Sequence, residues 1–125
     1  MSGQPTEIVE TLVRNETGLS RQELWQQYDA NRGTRLGDAA HAAGLACDSW
    51  LTVLAGLERH HDRAVRALAN VQRALDTDGI VNQLGELQSN GTELDAHCGQ
   101  AAVAREAVVQ AIGRYKAIAF TAPEI

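Results

Sequence analysis

The sequence predicts an all-α protein: a long antiparallel helical hairpin over about 34–76 and 79–119, preceded by two short helices, in one bundle-like helical domain spanning 1–125. Two observations predict it. Apolar residues recur in alternating steps of four and three on both sides of a polar turn at Asp76-Thr77-Asp78-Gly79, and the two resulting stripes are in register when the chain is folded back there. Only two prolines interrupt 125 residues, and 44% hydrophobic with 22% charged residues is the composition of a folded helical chain rather than a disordered one.

The elements follow in order. Pro5 suits a first helical turn, and Ile8, Val9, Leu12 and Val13 share one face until Asn15 to Gly18 ends the run, which predicts a short helix over 4–15. Ser20 and Glu23 have capping-box spacing, with Leu19 and Leu24 at the positions of a hydrophobic staple, so a second helix over 20–32 is expected to carry Trp25 and Tyr28 and stop at Gly33.

The first long stripe is Leu36, Ala40, Ala43, Cys47, Trp50, Leu54, Leu57, His61, Ala64, Leu68, Val71 and Leu75. It predicts a helix of roughly 40 residues, ~60 Å long at 1.5 Å per residue. Beside it runs a column of small residues, Ala39, Ala46, Val53, His60, Ala67 and Ala74. Together they make an apolar sector wider than one neighbouring helix can cover. The second stripe is Ile80, Leu84, Leu87, Gly91, Leu94, Cys98, Ala101, Arg105, Val108, Ile112, Tyr115 and Ala119. Reflection across the turn pairs residues whose numbers sum to about 155, which sets Leu57 against Cys98, Ala40 against Tyr115 and Arg105 against Trp50. Asn90-Gly91 is a turn dipeptide, and because the stripe keeps its phase across it, a kink rather than a reversal is expected. Gly37, Gly44 and Gly56, inside a helix, are read as points of close helix approach.

The candidate chemistry is sparse. No nucleophile elbow, phosphate-binding glycine loop or Cys/His hydrolase signature is present, so a non-enzymatic protein is expected, with no cofactor. The one concentration of metal-type ligands is the band of His60, His61, His97 and Cys98 with Glu58, Asp62, Glu93 and Asp95, in which zinc is the candidate ion and a register-fixing polar layer the alternative role. Cys47 and Cys98 fall ~15 Å apart along the hairpin, which excludes a disulfide between them. Arg59, Arg63, Arg66 and Arg73 form a basic ridge of the kind that tracks phosphates, set against a net charge of −5 and no interleaved aromatics.

The sequence therefore reads as a protein–protein interaction or assembly module, homo-oligomeric or bound to a protein partner. Its expected contact surface is Ala39, Ala46, Val53, Ala67 and Ala74 with Trp25 and Tyr28. A metal-binding bundle and a subunit of a nucleic-acid complex are the alternatives. The absence of a 20-residue apolar run and the polar N-terminus point to a cytoplasmic protein without membrane partners. Lys116 as the single lysine, amid abundant arginine and alanine, fits a GC-rich bacterial or phage source.

Overall fold

The computed structural model describes residues 4–120. Among these, four α-helices follow one another without a strand: α1 (Gln4–Thr17), α2 (Arg21–Ala30), α3 (Arg35–Ala74) and α4 (Ile80–Ala119). The long pair α3 and α4 pack against each other as the predicted hairpin.

The helix boundaries are set locally. Gly18 ends α1 and Gly33 follows α2, both with positive φ (75° and 81°), a backbone region that costs other residues a clash at Cβ. Ser20 caps α2 with both arms of the capping box in place. Thr34 starts α3: its hydroxyl accepts the Gly37 amide at 3.0 Å and donates to the Asn31 carbonyl at 2.6 Å. The hairpin turn closes through the Thr77 amide and hydroxyl, which both donate to the Ala74 carbonyl, at 3.0 and 2.9 Å. Through Asn90-Gly91, α4 continues as unbroken α-helix. There Asn90 and Thr92 donate to the carbonyls of Glu86 and Gln88 one turn back, so their polar side chains serve the helix rather than a turn or a new cap.

Tertiary contacts divide the chain into two compact units, Met1–Thr52 with Val103–Ile125, and Val53–Ala102. The first unit holds most of the core. Val9 and Val13 of α1, Leu24 of α2, Ala40, Ala43 and Cys47 of α3 and Val108 of α4 have no exposed surface, and Trp50, Ile112 and Tyr115 are nearly as buried. Close approach of α2 to α3 depends on Gly44, where a Cβ would stand 2.7 Å from Trp25 Cε2. At Gly37 a Cβ would stand 2.0 Å from the Asn31 carbonyl oxygen, so that glycine makes room for the α2–α3 connection. Arg21 ties three helices together: its amide donates to Glu10 of α1 at 2.9 Å and its guanidinium to Asp48 of α3 at 2.7 Å.

The second unit has a thin core. Ala67, Val71 and Ala101 are its buried apolar residues, with Gly56 buried beside them and His60, Ala64, Leu87, Leu94 and His97 half-buried. The contact line of α3 here is Gly56, His60, Ala64, Ala67, Val71 and Ala74, which corrects the predicted stripe. His61, Leu68 and Leu75, assigned to the seam by sequence, are exposed, the two leucines at 46% and 63%. On α4 the line runs through Ile80, Gln83, Leu87, Asn90, Leu94, His97 and Ala101, while Leu84, Gly91 and Cys98 are exposed. The small residues explain the rotation. Alanine and glycine let two backbones approach closely, and once they form the contact, the leucines one position further on are turned to its flank.

Candidate functional site

Because α3 and α4 are antiparallel, a step of one residue past the contact line, about 100° of rotation, points to the same flank of the pair on both helices. In the second unit that flank carries Leu54, Leu57, His61, Val65, Leu68 and Gln72 from α3, with Leu75 just past its end, and Val81, Leu84, Gln88, Gly91, Asp95, Cys98 and Ala102 from α4. The apolar members are open to solvent: Val65 is 52% exposed, Val81 74% and Leu84 50%. One step before the contact line lies the opposite flank, with Arg59, Arg63, Arg66, Asn70 and Arg73 facing Asn82, Glu86, Ser89 and Glu93. Arg63, Arg66, Ala67 and Asn70 of α3 line a groove there with Gln83, Glu86 and Asn90 of α4. The second unit therefore has one polar flank of mixed charge and one mainly apolar flank, in which Gln72, Gln88 and Asp95 are interspersed.

The heptad register shows what the apolar flank lacks. In the first unit the corresponding positions are Ala40 and Cys47 on α3 and Ile112 on α4, and all three are buried. The N-terminal helices lie over that flank: Trp25 and Tyr28 pack their rings on His41, with centroids 5.5 and 4.6 Å apart, and Lys116 reaches Glu16 at 3.8 Å. Counting on by sevens from Cys47 gives Leu54, His61, Leu68 and Leu75. Counting back from Ile112 gives Arg105, which still lies in the first unit and is exposed, and then Cys98, Gly91 and Leu84 of the second. In the second unit no helix covers these positions among the described residues.

The small-residue column expected to be the contact surface is placed differently from that expectation. Ala39 and Ala67 are buried and Ala46, Val53 and Ala74 half-buried, because this column is the line along which α3 meets α4. Trp25 and Tyr28, also assigned to that surface, are half-buried against α3 of the same chain.

The metal-type band is partly assembled. His60 and His97 stack with ring centroids 3.9 Å apart, and His60 Nδ1 stands 3.5 Å from a Glu93 carboxylate oxygen. His97 Nδ1 lies 2.9 Å from the Glu93 carbonyl, which puts its proton on that nitrogen. His61 and Cys98 are not brought into this pair: His61 lies 3.5 Å from its neighbour Asp62, and Cys98 is an exposed free thiol. Among the described residues no three His, Cys, Asp or Glu side chains are arranged to hold a metal ion.

Of the basic ridge, Arg63 and Arg66 share their groove with Glu86, and Arg73 bonds to Asn70. Arg105 and Trp50 do line one groove, together with Glu7, Ile8, Leu12 and Asn15 of α1. The cation–π contact among the described residues is instead Arg32 over Tyr28, at 5.1 Å. Burial pushes the Cys47 thiol up to about 11 and also raises the Tyr115 phenol. Both cysteines are free.

No helix among the described residues is long and apolar enough to cross a membrane. Comparison with known families, characterised proteins and solved structures gives no match to this chain.

Sequence reasoning found the wide apolar sector and its need for more than one neighbour. It missed that the sector is split between an internal contact line and an open flank. The signal was present in the small-residue column, since small side chains mark the line of closest helix approach.

Proposed function

We propose that this chain is a non-enzymatic helical interaction module of bacterial or phage origin, working in the cytoplasm through the apolar flank of its second unit. The supporting observation is the contrast within one heptad register: Ala40, Cys47 and Ile112 are covered by helices, whereas Leu68, Leu75 and Leu84 expose about half of their surface or more. Monomeric proteins rarely expose contiguous apolar surface beyond a few hundred Å², and larger patches mark interaction sites. The opposite flank supports a phosphate-binding role less well, because Glu86 and Glu93 stand among its arginines and reduce the positive potential that would draw a nucleic acid. For the His60–His97 pair the reading is a polar layer that holds the α3–α4 register.

The test is native purification of the wild type beside a Leu68→Glu/Leu75→Glu variant. Both substitutions fall on exposed positions, so the variant is expected to stay folded. Whatever associates with the wild type, a second copy included, is expected to leave the variant. Association that survives both charges, or a wild type that binds nothing, contradicts the proposal.

A further inference from the structure

The interaction reading leaves the occupant of the apolar flank open, and the inference drawn here rests on that reading. We propose that the flank is covered by a second copy of this chain, hairpin against hairpin, giving a four-helix layer around Leu68, Leu75 and Leu84.

The first support is register continuity with an interface already present. In the first unit, the heptad positions of Ala40, Cys47 and Ile112 are buried under a pair of helices. The same positions in the second unit need a pair of helices too, and the α3–α4 hairpin of a second copy supplies one.

The second support is self-complementarity. His60 stacks on His97, so the next residue along each helix, His61 and Cys98, flanks that same layer. Two turns nearer the hairpin tip the layer is Leu68 with Gly91, and two turns further it is Leu75 with Leu84. A two-fold axis parallel to the helices lays α3 of one copy over α4 of the other, layer on layer. Leu68 then enters the space over the partner copy's glycine at 91, where an added Cβ meets nothing within 4 Å in the single chain. Every pair of neighbouring helices in this arrangement is antiparallel, the usual geometry of a four-helix bundle.

The third support is charge. The α3 positions one step past the contact line hold no lysine, arginine or carboxylate, and those of α4 hold Asp95 as their one charged residue, because the arginines sit on the opposite flank. Two copies can therefore meet without opposing cations, and the interface is isologous as a two-fold axis requires.

The experiment is light scattering behind size exclusion over a range of concentrations, with circular dichroism and binding of the dye anilinonaphthalene sulfonate on the same samples. Wild type, Leu68→Glu/Leu75→Glu and Gly91→Leu are compared. Gly91→Leu tests the contact without endangering the fold, since it replaces an exposed mid-helix glycine by a better helix former. The expected wild-type mass is twice the 13.5 kDa of one chain. Both variants are expected to keep their helicity and to weaken dimerisation by at least about tenfold. A wild-type dimer unaffected by either variant overturns the proposal. So does a wild-type monomer. If that monomer binds the dye and the Leu68→Glu/Leu75→Glu variant does not, the apolar flank survives as a surface for a different protein; if neither binds it, the interaction reading falls as well.

Discussion

The imidazoles of His60 and His97 stack at 3.9 Å across the α3–α4 contact, while His61, the next residue, has a side chain 64% exposed. Adjacent histidines thus occupy unlike environments, and their substitutions should differ. His60→Ala is expected to lower stability by about 1–2 kcal/mol through lost packing and an unmatched His97 ring. His61→Ala should stay within about 0.5 kcal/mol in dilute, monomeric protein, as surface substitutions do. Denaturant titration of the two variants checks this, and equal losses would place the contact line where the sequence stripe first put it.

The same division predicts an inversion of size and cost further along α3. Val71 is 7% exposed and Leu68 46%. In the monomer, Val71→Ala should cost about 1–2 kcal/mol, and Leu68→Ala less than that although it removes more atoms, because the transfer and cavity penalties apply to buried atoms only. Thermal melts at low protein concentration decide the order.

The glycines of the long helices separate in a similar way. A side chain at Gly44 runs into the Trp25 ring, so Gly44→Ala should destabilise by about 1–3 kcal/mol and loosen α2 from α3. Gly85 and Gly113 meet nothing within 4 Å, and alanine at either should stabilise by up to about 1 kcal/mol by removing the entropy cost of a mid-helix glycine. Melting temperatures moving in opposite directions are the expected result.

Cys47 gives a prediction about pH. Burial first, then the nearby Asp48 and Glu10 acting against Arg21, raise its thiol from 9.0 to about 11. The folded state therefore holds this proton more tightly than the unfolded chain. Its contribution to stability is complete below about pH 9 and is lost as pH climbs toward about 11. Unfolding free energies of the wild type should fall across that window more steeply than those of Cys47→Ala. In the native protein near pH 8 a thiol reagent should label Cys98 alone, and Cys47 only after unfolding.

Much of the fold was legible in the sequence. The capping box at Ser20 and Glu23, the glycine stops, the polar turn at 76–79 and two stripes in mutual register fixed four helices and their direction by local chemistry and periodicity. Gly44 was readable as a point of close approach. The rotation of α3 against α4 was not, because a sector containing both Ala67 and Leu68 has two candidate faces. Side-chain size, rather than hydrophobicity, chooses between them. The Arg21 link between Glu10 and Asp48 was equally hidden, since it joins three helices whose relative placement no spacing rule gives. Of the candidate site, the sequence supplied the leucines but assigned them to the interior, and the register comparison with Ala40 and Cys47 needs burial to be seen.

The most direct test of the account is the concentration-dependent mass of the wild type beside Leu68→Glu/Leu75→Glu. The account predicts a dimer that becomes a folded monomer when the two charges are introduced. A wild type that stays monomeric throughout would contradict it, and the absence of dye binding that the charges remove would contradict the apolar flank as an interaction surface as well.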